Sequence, residues 1–348
     1  MTITNRFQRI GAIGAAAVLV FSLAACSSGQ EEASASSTDS SAAAPAGADE
    51  VLKITYIQKQ GDQQYFVDEA EGAKAQAEEL GNVEVTMVDV GTDSNAAITA
   101  VNTAVAQGAD GVAIVVPDAK IGPQVGQILD KAGIPYVASD DPFELADGTA
   151  APWVSIDSLT MGQQVGEKAG ELYVAAGWSA DDTRIISVLQ EDLGVCQDRE
   201  TGQLEKFTEI AGETPDVVRV GTDNSTPTAL SKTGAAITAN QGVKHWVVIG
   251  CNDEGVTGSV KALENSGVSA DDVIGVGLGA YLACKDWKAG VDSGNKAALY
   301  IDGRVDGAAS VKVLVDHLRT GDPIPAETLG KAVMVDADTW EDSGMLCG

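Results

Sequence analysis

Histidine is almost absent from this chain: His245 and His317 are the whole complement. No Gly-x-Ser-x-Gly elbow and no Cys-x-x-Cys pair occurs either, so nucleophile–base chemistry and a zinc site lack their usual parts. Both histidines occupy structural positions, His245 at the head of an apolar run and His317 in a helical pattern with Val315 and Leu318. Positive charge is scarce as well, with 22 Lys+Arg against 51 Asp+Glu and a net charge of −29. A surface this acidic repels phosphate backbones and anionic headgroups, which excludes nucleic acid as a partner and any basic patch as a membrane anchor. Aromatic residues make up 5% of the chain, so the adjacent pair Tyr65-Phe66 stands out.

The one long apolar run lies near the N-terminus. Arg6 and Arg9 precede Ile10 through Leu23, and Leu23-Ala24-Ala25-Cys26 closes the run as a bacterial lipobox does. The run is too short for a stable spanning helix. Residues 1–25 therefore read as a lipoprotein signal peptide, with Cys26 the lipidated first residue of the mature chain, anchored through acyl chains such as palmitate to the outer face of the cell membrane. Residues 26–50 are mostly Ser, Ala, Gly and acidic residues, with no large aliphatic or aromatic side chain, the composition of a disordered tether. Four further cysteines, Cys196, Cys251, Cys284 and Cys347, suit disulfides in an oxidising compartment, and three pairings are open.

From residue 51 the pattern alternates. Leu52 to Gln58, Val83 to Val90, Gly111 to Val116 and Pro135 to Ser139 are short and β-branched, as buried parallel strands are. Helical spacings fall between them, one ended by Gly108 and another by Gly133. The irregular stretch Pro142 to Pro152 interrupts the rhythm, which resumes with strands at Arg184 to Leu189, Val217 to Val220, His245 to Gly250 and Val273 to Leu278. A late helix carries Val311, Leu314, Val315 and Leu318. Two sets of βα units separated by a break predict an α/β protein of two doubly wound parallel-sheet lobes. Ligands of such sheets bind beyond the carboxyl ends of the strands.

Those positions hold Lys59, Gln60, Asp62, Gln63, Tyr65 and Phe66 after the first strand, and Asp140 with Asp141 after the fourth. Arg199 follows Leu189 and its loop, and Asn252 with Asp253 follows Gly250. Carboxylates and amides accept hydroxyl hydrogens, Lys and Arg donate, and an aromatic face covers C–H patches, a mixture suited to a neutral polyol. On an extended chain the adjacent Asp140 and Asp141 point in opposite directions, which argues against a catalytic carboxylate pair. Gly275-x-Gly277-x-Gly279 has the wrong spacing for a dinucleotide loop. Asp336, Asp338 and Asp342 lack the companions of a calcium loop. No cofactor and no metal is called for.

The segments Tyr56-Ile57-Gln58-Lys59-Gln60, Val116 to Gly122, Ser139-Asp140-Asp141-Pro142-Phe143, Arg199-Glu200-Thr201-Gly202 and Val243 to Asp253 resemble the L-arabinose-binding branch of the type I periplasmic sugar-binding proteins. The resemblance implies two lobes joined by a three-strand hinge, residues 51–154 plus 300–331 and residues 155–299 plus 332–348. It also implies closure on a monosaccharide and delivery to an ABC transporter permease by a monomer. Lys59, Asp141 and Arg199 fall on the family's charged sugar contacts, with Asp140 beside them, and Asn252 on an amide that binds ring hydroxyls. Tyr65 stands in place of a stacking tryptophan, Phe66 matches its neighbour and Gln63 replaces a glutamate. Gly279 and Leu282 stand where the family has asparagine and aspartate. The implied ligand thus widens from arabinose to another pentose, a hexose or a polyol, with Tyr281 or Lys285 as candidates to fill the space.

Three other readings share parts of this pattern: a nucleoside- or furanosyl-signal-binding lipoprotein of the same fold, an extracytoplasmic hydrolase, and a sugar-responsive repressor. The export signal and the lack of a helix-turn-helix segment remove the last.

Overall fold

The computed structural model describes Gly47 and residues 50–347; the signal segment, Cys26 and nearly all of the tether lie outside the described residues. Strand and helix alternate from the start: β1 (Leu52–Gln58), α1 (Gln64–Leu80), β2 (Val83–Asp89), α2 (Ser94–Ala106), β3 (Gly111–Ile114), α3 (Gly122–Ala132), β4 (Tyr136–Ser139) and β5 (Trp153–Ser155). Then follow α4 (Ser158–Ala176), β6 (Thr183–Leu189), α5 (Gly194–Ala211), β7 (Asp216–Gly221), α6 (Thr226–Ala239), β8 (His245–Gly250), α7 (Asp253–Asn265) and β9 (Val273–Leu278). The chain closes with α8 (Ala283–Ala289), β10 (Asn295–Ile301), α9 (Gly303–Thr320), β11 (Glu327–Leu329) and β12 (Ala332–Asp336).

The strands form two six-stranded sheets, ordered β11-β5-β4-β3-β1-β2 and β12-β10-β9-β8-β6-β7. Every pairing is parallel except β10 with β12. Each sheet belongs to one α/β lobe, and the chain passes between sheets after β5, after β10 and after β11. The central strands are buried on both faces, which is why they read as continuous apolar runs; β1 and β8 each expose at most one residue. In the first lobe one face packs Ile57, Val101, Leu129 and Ala138, and the other packs Ile54, Tyr56, Val137 and Leu314. In the second, Ile185, Phe207 and Val276 lie on one face, Ile186, Trp246 and Val260 on the other. Burying a side chain of this size stabilises the fold by about 1.5–3 kcal/mol.

Local chemistry sets the helix ends. Asp93, Asp157, Asn252 and Asp302 accept backbone N–H groups at the starts of α2, α4, α7 and α9. One structural expectation needs correction, and one open pairing is resolved. The irregular stretch 142–152 does not separate the lobes: it is a loop within the first, pinned by a bridge between Glu144 and Ala150, and β5 still adds to the first sheet. The crossing comes only after Ser155. The four cysteines pair as Cys196–Cys251 and Cys284–Cys347, with Cα separations of 5.0 and 5.9 Å, both in the second lobe.

Each lobe contains a helix pair packed backbone to backbone through glycine. Gly72, Gly303 and Gly307 form the seam of α1 with α9, and Gly162, Gly166 and Gly202 that of α4 with α5. A Cβ at Gly166 would collide with the carbonyl of Gln203, so Gly166→Val is expected to force the pair apart and destabilise the protein by about 1–3 kcal/mol or more. A circular-dichroism melt with an unchanged midpoint would show that the seam yields instead.

Candidate functional site

The carboxyl ends of the two sheets face one another across a cavity of about 70 Å³. All eight residues expected at a binding site line it: Lys59, Gln63, Tyr65, Phe66, Asp140 and Asp141 from the first lobe, Arg199 and Asn252 from the second. The topology accounts for this convergence. β1 and β4 lie in one sheet with only β3 between them, so the loops that follow them open at the same edge.

Lys59 is 7% exposed and sits between two acids, paired with Asp141 and 4.0 Å from Asp140 Oδ2. Its ammonium also lies 5.6 Å from the centre of the Phe66 ring. Burial works against the lysine's charge, but Asp141 and then Asp140 outweigh it and hold the pKa above the ordinary value. Burial, with Asp141 second, pushes the Asp140 carboxyl up to about 6, against the pull of Lys59 and Arg199.

Asp140 departs from the expected geometry. Its φ is +60°, so the chain turns left-handed at this residue and is not extended through the pair. Both carboxylates therefore reach the same lysine and the same cavity. The turn is fixed where Trp153 Nε1 donates to the Asp140 carbonyl at 2.9 Å. Gln60, Asn224 and Ala280 also have positive φ, and with Asp140 they make four of the five such non-glycine residues among the described ones. Gln60, Asp140 and Asn224 line the cavity and Ala280 sits between two residues that do. Each left-handed residue costs about 1–3 kcal/mol, a strain confined here to the strand ends.

Arg199 does not pair with its neighbours in sequence. Glu200 instead accepts from Arg219 Nε at 2.8 Å and from Ser187 at 2.6 Å. Arg199 Nη1 donates to the Cys251 carbonyl at 3.0 Å, and its Nε is buried with no partner. Nor does Asp141 serve as its countercharge, since that carboxylate is committed to Lys59. The Asn252 side chain caps α7 by accepting from Gly255 N–H at 3.0 Å and donates to the Asn224 carbonyl at 2.8 Å.

Around Gly279 and Leu282 the second lobe is rebuilt. Asp253, 2% exposed, accepts the backbone N–H groups of Leu282 and Ala283. Burial, followed by Glu254, raises its pKa to about 7. Tyr281 lines the cavity and donates to the Ile301 carbonyl at 2.6 Å, whereas Lys285 is exposed and outside the lining, as is Asp62. Asn224 and Glu254 join the site without having been singled out, while Tyr281, one of the two candidates to fill the space, lies in the lining. The cluster Thr222-Asp223-Asn224-Ser225 is a turn signature that locates a strand end, and Glu254 directly follows Asn252-Asp253.

Tyr65 continues the site toward the crossings, donating to Asp306 Oδ2 at 2.8 Å and meeting Phe66 edge to face at 5.1 Å. Behind it Glu69, fully buried, accepts from Ser139 at 2.7 Å, and burial with Asp140 nearby holds it well above the usual carboxylate range. The histidines play no part: His245 stacks on Trp178 at 4.5 Å and His317 Nδ1 meets the Asp322 carbonyl at 2.7 Å.

The sequence matches the profile of the periplasmic binding protein domain over residues 54–323. The chain belongs to the periplasmic binding protein family. An ABC transporter L-arabinose-binding periplasmic protein of Azospirillum brasilense is 27% identical over 307 residues, 85% of this chain and 90% of its own. The L-arabinose-binding periplasmic protein of Escherichia coli K12 is 27% identical over 233 residues, 66% of this chain and 70% of its own. Among solved structures, an ABC transporter periplasmic solute-binding protein from Actinobacillus succinogenes with bound D-allose has a TM-score of 0.71 at 21% identity, covering 84% of this chain and 99% of that one. The periplasmic binding protein fold of type I accounts for the two lobes and the cavity between them, and it is a binding fold, not an enzyme's.

Burial first, with Asp140 adding to it against the Tyr65 hydrogen bond, raises Asp306 to about 7 from an ordinary 3.8. A native pKa above the unfolded one means that this group's contribution to stability is complete below about pH 4 and is lost as pH rises through about 7. Asp306→Asn, which keeps an acceptor for Tyr65, is expected to flatten the decline in unfolding free energy between about pH 4 and 7. Urea titrations across that range test it, and an unaltered slope would mean that Asp306 ionises as an ordinary carboxylate.

Proposed function

We propose that this periplasmic binding protein is an extracytoplasmic receptor that captures a neutral monosaccharide between its lobes and delivers it to the permease of an ABC importer. The observation that carries the reading is the charge arrangement of the cavity. Lys59, Asp140 and Asp141 form a cluster of one formal negative charge on one wall, and Arg199, which balances it, faces in from the other with an unpaired Nε. Sugar hydroxyls both donate and accept, so one ring can satisfy carboxylates and guanidinium together while its C–H face lies against Tyr65 and Phe66. The names of the relatives, two binding L-arabinose and one solved with D-allose, agree with a pentose, a hexose or a related polyol.

In this reading the lobes comprise residues 51–154 plus 300–331 and 155–299 plus 332–348; sheet membership supports the division to within two residues, since β5 runs to Ser155 in the first sheet and β10 to Ile301 in the second. Each wall supplies polar groups, so a ligand that touches both stabilises the closed arrangement by its differential affinity. The receptor acts as a monomer, held at the membrane through lipid on Cys26; support for the anchor is the lipobox. Cys26→Ser is expected to move the protein from the membrane fraction to the soluble one, and retention in the membrane would remove the lipid anchor.

A thermal-shift panel of pentoses, hexoses, polyols and nucleosides on the mature protein tests the ligand class. A true ligand at a hundredfold its dissociation constant adds about 2.7 kcal/mol. Sugars or polyols are expected to raise the midpoint and nucleosides to leave it unchanged; the reverse would overturn the sugar reading. In calorimetry with the sugar so found, Arg199→Ala is expected to cost about 2–4 kcal/mol of affinity, since it leaves polar groups of the closed cleft unpaired. Unchanged affinity would remove Arg199 from the site.

A further inference from the structure

One of the two disulfides borders the cavity. Cys196 lies in the first turn of α5, three residues before Arg199, and Cys251 directly follows the end of β8 and precedes Asn252. Both are buried, at 0% and 2% exposure. The polar groups of the second-lobe wall gather around this bond. Arg199 Nη1 contacts both the carbonyl of Cys251, at 3.0 Å, and its sulfur, at 3.7 Å. Asn224 Nδ2 donates to Cys196 Sγ at 3.5 Å, and Asn252 Nδ2 donates to the Asn224 carbonyl at 2.8 Å. Both hydrogen-bond contacts of the Arg199 guanidinium are thus made to one half-cystine.

We propose that the Cys196–Cys251 disulfide is a positioning element of the binding site, holding Arg199 in place before the ligand arrives. α5 and the β8–α7 turn meet only through the fold, 55 residues apart in sequence, and the bond fixes their spacing at the point where both present side chains to the cavity. An arginine restrained in advance loses less freedom on binding, so less of the interaction energy goes into ordering it. A bond serving only as a staple would act on the unfolded chain, raising stability and leaving affinity alone.

The inference rests on the sugar reading of the cavity for its consequence in affinity, but positioning itself has a readout that needs no ligand. In the full-length protein labelled with 15N-arginine, the Arg199 Nε–H resonance, assigned by its loss in Arg199→Lys, is expected to be sharp and slow to exchange. In the Cys196→Ser/Cys251→Ser pair it is expected to move toward the position of free arginine. An identical resonance in both proteins overturns the proposal. Titration with L-arabinose is the second arm. The serine pair is expected to weaken binding about tenfold in the wild-type background and less than about twofold when Arg199→Ala is also present, because the bond acts through that side chain. A lower melting midpoint with unchanged affinity and an unchanged resonance assigns the bond to stability alone and overturns positioning. If L-arabinose fails to bind the wild-type protein, the ligand assignment fails while the resonance still decides the role of the bond. Cys196→Ala/Cys251→Ala provides the same comparison if the serine pair does not fold.

Discussion

A lysine buried between two carboxylates is the constraint that the cavity obeys. Removing an ammonium and a carboxylate from water costs several kcal/mol for each ion, and only close partners offset it. Lys59 has those partners because β1 and β4 end at the same edge of the sheet, and because the backbone at Asp140 turns left-handed to bring two successive acids to one side. Phe66 then covers the ammonium, so the cluster is shielded from the bulk and its charges remain strong. Sheet order, local strain and aromatic cover thus serve one electrostatic arrangement.

The same side chains link the cavity to the crossings between lobes. Tyr281 donates to the carbonyl of Ile301, the last residue of β10 before the chain crosses. Tyr65 donates to Asp306, which lies in the first turn of α9 just beyond that crossing. Gly330, at the third crossing, is close enough to Asp306 that a Cβ would touch its carboxylate, and Ile156 of the first crossing packs beside it. Occupancy of the cavity and the angle between lobes therefore involve the same few atoms, a physical route for coupling that does not pass through either core.

What could be read from residue order follows from burial. β8 and β9 carry nearly unbroken apolar runs, β1 is largely buried about the exposed Lys53, and the limits of all three coincide with the expected ones. β5, β11 and β12 escaped because they are short or partly exposed, and β10 because Asn295 and Lys296 open it and β-branched residues are few. The rule that ligands bind beyond strand ends brought eight residues to one cavity, since a loop's position follows from topology even where its shape is unknown. It failed where shape mattered. A positive φ at Asp140 is a property of the folded surroundings, and the choice of Lys59 over Arg199 as partner of Asp141 depends on distances across the sheet. The cysteine pairing was equally illegible, because four half-cystines carry no label of their partners.

The seam between α4 and α5 has a consequence on its far side. Gly162 lies against the backbone of Arg199, so close that a single methyl there would strike that residue's carbonyl. The depth of the guanidinium in the cavity is therefore set from behind, by the absence of a side chain on a neighbouring helix. Through that contact the size of a residue remote from any ligand becomes a tuning parameter for recognition, and the interior of the lobe cannot drift in volume without the binding wall drifting with it.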